Sequence, residues 1–257
     1  MANRNPRMNL RARAAGLHLL GSLAVAGLAW WLVFRLWYPP PFAELAGGST
    51  LFLILVSVDV IIGPALTAVV ANPSKRRSEL LRDLSVILAL QLAAMGYGLH
   101  TMAAARPVAI AFEVDLFRVV SAVEVDETTL PSAPPALRRL SWTGPVVMAA
   151  VKPSDPSEQL RSIELGMAGV PLAALPASWR EYAPSAAKAW AASKPATLFL
   201  TGQPTYAAEV QARALAAGVN LTDLRTLPLM ARRAEWVVLI AAPDARIVGY
   251  LPVTEGN

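Results

Sequence analysis

The chain has 257 residues, 55% of them hydrophobic but only 16% charged, and a mean hydropathy of +0.44. Soluble domains carry about 25% charged residues, so a wholly water-soluble globule is excluded. There is no cysteine, which removes disulfide frameworks, thiolate nucleophiles and Cys-based zinc sites.

The net charge of +5 invites a nucleic-acid reading until the charges are located. Up to Arg106 there are ten Lys/Arg against four acids, Glu44, Asp59, Glu79 and Asp83. From Pro107 onward thirteen Lys/Arg meet fourteen Asp/Glu. The surplus therefore sits beside apolar runs, which is a topology signal and predicts no nucleic-acid partner.

Three apolar runs follow in order: Ala14 to Leu36, Thr50 to Ala71, and Leu84 to Ala104. Each approaches or exceeds the roughly 20 residues that span a bilayer core of about 30 Å. The first is too long, and ends in too much Trp, Tyr and Pro, for a cleaved leader. Four arginines precede it, and Lys75, Arg76, Arg77 and Arg82 lie between the second and third runs, whereas Trp37–Ser49 has neither Lys nor Arg. The positive-inside bias predicts a cytoplasmic N-terminus and everything after Arg106 outside, in a Gram-negative cell the periplasm. The predicted organisation is a basic cytoplasmic tail over 1–13, a three-helix transmembrane region over 14–106 in the lipid bilayer, and a soluble domain over 107–257.

In that last part, Val108–Val114 and Arg118–Val123 read as a β-hairpin, and Val146–Val151 as a third strand. Ser154-Asp155-Pro156 opens a helix reaching about Met167. Pro176–Tyr182 and Ser185–Ala192 read as short helices and Thr205–Ala217 as a longer one, while Thr197–Thr201 fits strand or helix equally. Trp236–Ala241 and Arg246–Val253 form a second hairpin. The expected fold class is a three-helix membrane protein carrying a small α+β domain with a mainly antiparallel sheet.

Several strings resemble a known family: Gly16-Leu17-His18-Leu19-Leu20, Trp37-Tyr38-Pro39, Val58-Asp59-Val60-Ile61-Ile62-Gly63-Pro64, Arg82-Asp83-Leu84, and Phe112-Glu113-Val114-Asp115-Leu116-Phe117-Arg118. Together they are similar to the TfpX/TfpZ type IV pilin accessory proteins, related to FimB-type fimbrial assembly proteins. The match is dense to about Ala122, resumes at Trp142-Thr143-Gly144-Pro145 and Gly249-Tyr250-Leu251-Pro252, and is poorest over Gly169–Leu200. The resemblance implies an inner-membrane, non-enzymatic factor that helps its cognate major pilin become stable and assembled. It implies pilin as partner, through transmembrane helix and globular head, and no cofactor. A rival is an extracytoplasmic sensor or a subunit of another inner-membrane complex.

The candidate site is intramembrane. Asp59 lies within the second run, where an ionisable group costs about 2.5–3.5 kcal/mol on insertion scales and must find a partner. Counted from Ala71 it is roughly 18 Å deep; counted from Leu84, Tyr97 reaches about 20 Å and Gln91 about 10 Å, so Tyr97 is the expected partner. Gly63-Pro64 predicts an unpaired carbonyl and a kink, and Gly21, Ala24 and Gly27 a close helix contact. His18 and His100 lie near opposite membrane faces, where interfacial hydrogen bonding is expected of each. Ser185 and Lys188 fit S-x-x-K, but the S-D-N and K-T-G elements of that enzyme class are missing, so catalysis is not expected. Arg138-Arg139 and Arg232-Arg233 read as solvated surface, and Trp142, Trp179, Tyr182, Trp190 and Trp236 as core with an exposed subset for a partner.

Overall fold

The computed structural model describes residues 6–72, 74–231 and 235–253; Arg4 and the Arg232-Arg233 pair lie outside them. Helix α1, Pro6–Trp31, already begins inside the expected basic tail and continues as a π-helical turn, Leu32–Trp37. A short helix α2, Phe42–Leu45, interrupts the first loop. The second span is α3, Gly48–Ser57, a π-helical turn over Val58–Ile62, and α4, Gly63–Val70. The third is α5, Arg77–Ala105, started where the Arg76 amide donates to the Glu79 carboxylate. Three stretches, Arg11–Trp37, Gly48–Val70 and Arg77–Ala105, are long and apolar enough to cross a membrane.

The remaining chain folds on an eight-stranded sheet. Its strands are β1 (Pro107–Glu113), β2 (Leu116–Ser121), β3 (Val146–Ala150), β4 (Trp179–Glu181), β5 (Lys194–Pro195), β6 (Leu224–Met230), β7 (Glu235–Ala241) and β8 (Arg246–Pro252). Between them lie helices α6 (Pro156–Met167), α7 (Ala186–Ala192), α8 (Ala196–Gly202) and α9 (Ala207–Ala217). The order is β4-β3-β1-β2-β6-β7-β8, with β5 on β6.

Both expected hairpins form, β1 with β2 and β7 with β8. The sheet is nonetheless mixed, not mainly antiparallel, because β3 runs parallel to β1 and β6 parallel to β2. β2 brings the chain back to the end at which β1 begins, and β3 starts there after the 122–145 loop. The segment holding β3, β4 and β5 then delivers β6 at the end at which β2 begins, as parallel pairing requires. Three strands escaped the sequence reading, the shortest of them the two residues Lys194–Pro195. Trp179–Glu181 is a three-residue edge strand where a helix was expected. Leu224–Met230 contains Pro228, ordinarily an argument against a strand. Here Pro228 falls between Thr226, where β5 pairs, and Leu229, where β2 pairs, and it stands opposite Val237 of β7.

Alternation along the strands separates two apolar faces. Ile110, Phe112, Phe117, Leu229, Val238 and Ile240 share one face with α7. On the other, the loop holding Leu130, Leu137 and Leu140 covers β1 to β3, while α8 and α9 cover β6 to β8. Phe42 and Leu45 of α2 belong to the first of these cores, and the Phe42 ring meets Tyr250 edge-on with centroids 5.3 Å apart. The first loop is therefore a wedge in the core of the sheet built by 107–257.

The junction is dense. The Tyr38 hydroxyl donates to Met102 O at 2.9 Å, and Pro39 packs against Gly144, whose φ of +85° and tight space both favour glycine. Arg106, buried at the end of α5, donates to Ala103 O at 2.6 Å and Ser141 O at 3.0 Å and lies 3.6 Å over the Trp142 ring. Burial draws its pKa below the usual arginine value, opposed by Glu127 and Tyr38, yet a guanidinium keeps its charge. Trp37 completes the stack on Trp142, with centroids 6.1 Å apart.

Phe42→Ala should destabilise the sheet domain by about 3–5 kcal/mol, the cost of emptying an aromatic core site. Denaturant unfolding of the detergent-solubilised protein, followed by tryptophan fluorescence, measures this; a change under about 1 kcal/mol would mean that the wedge is peripheral.

Candidate functional site

The buried stripe of α1 runs Ser22, Ala26, Ala29, Val33, at alternating steps of four and three, and it packs this helix along the second span. Gly21 and Gly27 have open space around them and do not make that contact, contrary to expectation. Helix α5 packs on the other flank of the second span. At the end next to the sheet domain Val33 and Trp37 close against Met102 in one apolar cluster. Further in, α1 and α5 diverge and leave a cleft of about 520 Å³. Leu17, Gly21 and Val25 form one wall, Leu84, Leu88 and Leu92 the other, and His18, Asp59, Thr67 and Gln91 line it between them.

The floor follows from the local sequence of the second span. Over Val58–Ile62 the helix takes the π form, and the Gly63 amide donates to Val58 O instead of Asp59 O. The next donor in a five-residue step from Asp59 is Pro64, which has no N–H. The Asp59 carbonyl is thus left over, and Gln91 Nε2 supplies its donor at 3.4 Å while also reaching Asp59 Oδ1 at 3.3 Å. The unpaired carbonyl expected from Gly63-Pro64 exists in the ladder but is taken by a neighbouring span. Gly63 permits this: the Gln91 amide occupies the space in which a Cβ would stand.

Asp59 is 6% exposed, but its partner is Gln91 and not Tyr97, which is 75% exposed on the far side of α5 beside Leu51, Ile54 and Leu55. The expectation failed on where the helix begins. Helix α5 starts at Arg77, so Gln91 lies about 21 Å along it and Tyr97 about 30 Å, whereas Asp59 is about 17 Å from Val70.

His18 Nδ1 meets Thr67 Oγ1 at 2.5 Å, tying α1 to α4. Arg11 Nε donates to Ala71 O at 3.1 Å at the end of the bundle far from the sheet domain. Sequence offered a signal for the first pair, since a histidine and a threonine within apolar runs both need partners.

Outside the bundle, Ser185 is buried while Lys188 is exposed, so they share no open site. Trp179 and Trp236 are core, Trp190 and Tyr182 are half-buried, and Trp142 is 56% exposed at the junction. Among the described residues no cluster of three metal-ligating side chains occurs.

Fold and cleft together define a three-helix apolar bundle, grooved between its first and third helices and wedged into a mixed-sheet domain. A family model described as Fimbrial assembly protein FimB matches residues 6–47, which hold the first wall of the cleft and the wedge. The fimbrial assembly protein of serogroup I from Dichelobacter nodosus is 34% identical over 236 residues, 91% of this chain and 92% of its own. That of serogroup E1 is 32% identical over the same shares. That of serogroups C1 and C2 is 40% identical over 127 residues, 49% of this chain and 97% of its own. The chain belongs to the FimB-type fimbrial assembly protein family. No solved structure matches it.

Gly63→Ala and Gln91→Leu break the same contact, so each should cost about 1–3 kcal/mol and the double variant little more than either alone. Additive losses in a double-mutant cycle on bundle unfolding would show that Gly63 and Gln91 act separately.

Proposed function

We propose that this protein is an inner-membrane accessory factor of type IV pilus assembly that holds its cognate major pilin before the pilin enters the filament. The three spans sit in the bilayer with the N-terminus cytoplasmic, and the sheet domain stands in the periplasm. The pilin's apolar helix lies in the cleft between α1 and α5, and its globular head meets the sheet domain. The cleft carries this reading: its rim residues Leu17, Leu88 and Leu92 are exposed and apolar, and it runs along the bundle as a further helix would. Relatives named fimbrial assembly proteins, covering nine-tenths of the chain, support the pathway. The crowding of Arg and Lys before the first span and between the second and third supports the orientation. Such a factor shields apolar pilin surface that stays uncovered until assembly.

A photo-crosslinking residue placed at Leu88, on the rim, should form an adduct with the pilin, and one at Leu90, about 200° around the same helix, should not. Equal adducts from both, or none from Leu88, would remove the cleft from pilin binding. Alkaline phosphatase fused at the C-terminus should be active and GFP at that place dark; the reverse pattern would invert the orientation.

A further inference from the structure

The cleft holds more polar chemistry than its own packing uses. What the bundle requires of residue 59 is its carbonyl, the acceptor that Pro64 leaves without a ladder donor, and every amino acid has one. The carboxyl group of Asp59 is additional. Among the described residues it has a single hydrogen bond, from Gln91 Nε2 at 3.3 Å, and that donor is shared with the carbonyl. This is longer than the 2.7–3.2 Å of a good N–H···O bond. Among the described residues none donates to the other carboxyl oxygen. His18, also lining the cleft, uses Nδ1 on Thr67, and among the described residues its Nε2 has no hydrogen bond.

A carboxyl group between apolar walls is costly without a partner, and this one is turned into the cleft by a π-helical turn, a feature that recurs at functional sites. On the reading that the cleft receives a helix, we infer that it selects a single-pass transmembrane helix of a partner protein bearing one hydrogen-bond donor opposite Asp59. That level is about 17 Å from the inner end of the second span. Apolar side chains of the occupant fill the space between the leucine walls. Its donor completes the Asp59 carboxyl, and His18 Nε2 is available to any second polar atom nearby. An occupant lacking the donor leaves a desolvated carboxyl behind, which is how a largely greasy groove discriminates between helices.

The test uses the full-length protein in nanodiscs and three fluorescent leucine–alanine host helices as probes. One carries a single Asn at the level of Asp59, one carries the Asn two turns away, and one carries none. The matched helix should bind about tenfold tighter than the other two, in keeping with interhelical amide bonds in lipid. Asp59→Ala should erase the difference while Gln91 keeps its carbonyl contact. If that variant unfolds, the comparison among the three hosts on the unaltered protein still decides. Equal affinity of all three hosts, with crosslinking at Leu88, would overturn the inference and leave the cleft as a helix site. Binding by none of them would overturn it as well, and the pilin adduct at Leu88 then tells whether the cleft reading stands. Crosslinks between two copies at Leu88, with no host present, would assign the groove to self-association and overturn it.

Discussion

The arrangement of this protein turns on the burial of a short loop helix beneath a sheet. Phe42 and Leu45 come from the connection between the first two spans, yet they pack among Ile110, Phe112, Phe117 and Leu229. Burying a large apolar side chain is worth about 1.5–3 kcal/mol, so the pair anchors the loop firmly. The anchoring fixes more than the loop. The Tyr38 hydroxyl on the third span, Pro39 against Gly144, and the stack of Trp37, Trp142 and Arg106 surround the same connection. Bundle and sheet domain consequently meet at a packed joint.

Within the bundle, one backbone irregularity organises a set of side chains. Pro64 lacks an amide hydrogen, the π-helical turn before it shifts the ladder, and one carbonyl is released. In apolar surroundings such a group must be satisfied internally. Gln91 does so, and Gly63 makes room for it. The irregularity also aims Asp59 between α1 and α5, where the bundle is open. Pro64, Gly63 and Gln91 act as one device around the carbonyl of residue 59, the first releasing it, the second making room and the third supplying its donor.

Closure at one end and divergence at the other give the cleft its shape. Small residues on α1 let it approach the second span, and Val33, Trp37 and Met102 draw the ends next to the sheet domain together. The far halves of α1 and α5 stand apart on either flank of α4. A bundle of three helices cannot cover all of its apolar surface, and here the uncovered part is concave and floored with polar groups. The rest of the exposed apolar surface of the bundle carries Leu, Ile and Val such as Leu53, Ile54 and Val69.

The sequence by itself determined the three apolar spans, the charge distribution around them, both β-hairpins and the family, because each is written in local runs of residues. It also singled out Asp59, Gly63, Pro64 and Gln91 as unusual, since polar and helix-breaking residues stand out in an apolar run. Only the tertiary structure decided how they combine. The pairing of Asp59 with Gln91 and not Tyr97 depended on α5 beginning at Arg77, seven residues before the apolar run that suggested its start. The parallel strands and the strand through Pro228 depended on which neighbours the long connections delivered. The wedge of α2 was invisible for the same reason: Phe42 and Leu45 read as part of a loop until a sheet formed far along the chain closes over them. Local periodicity records which face of an element is apolar, and it holds no record of which distant element will cover that face.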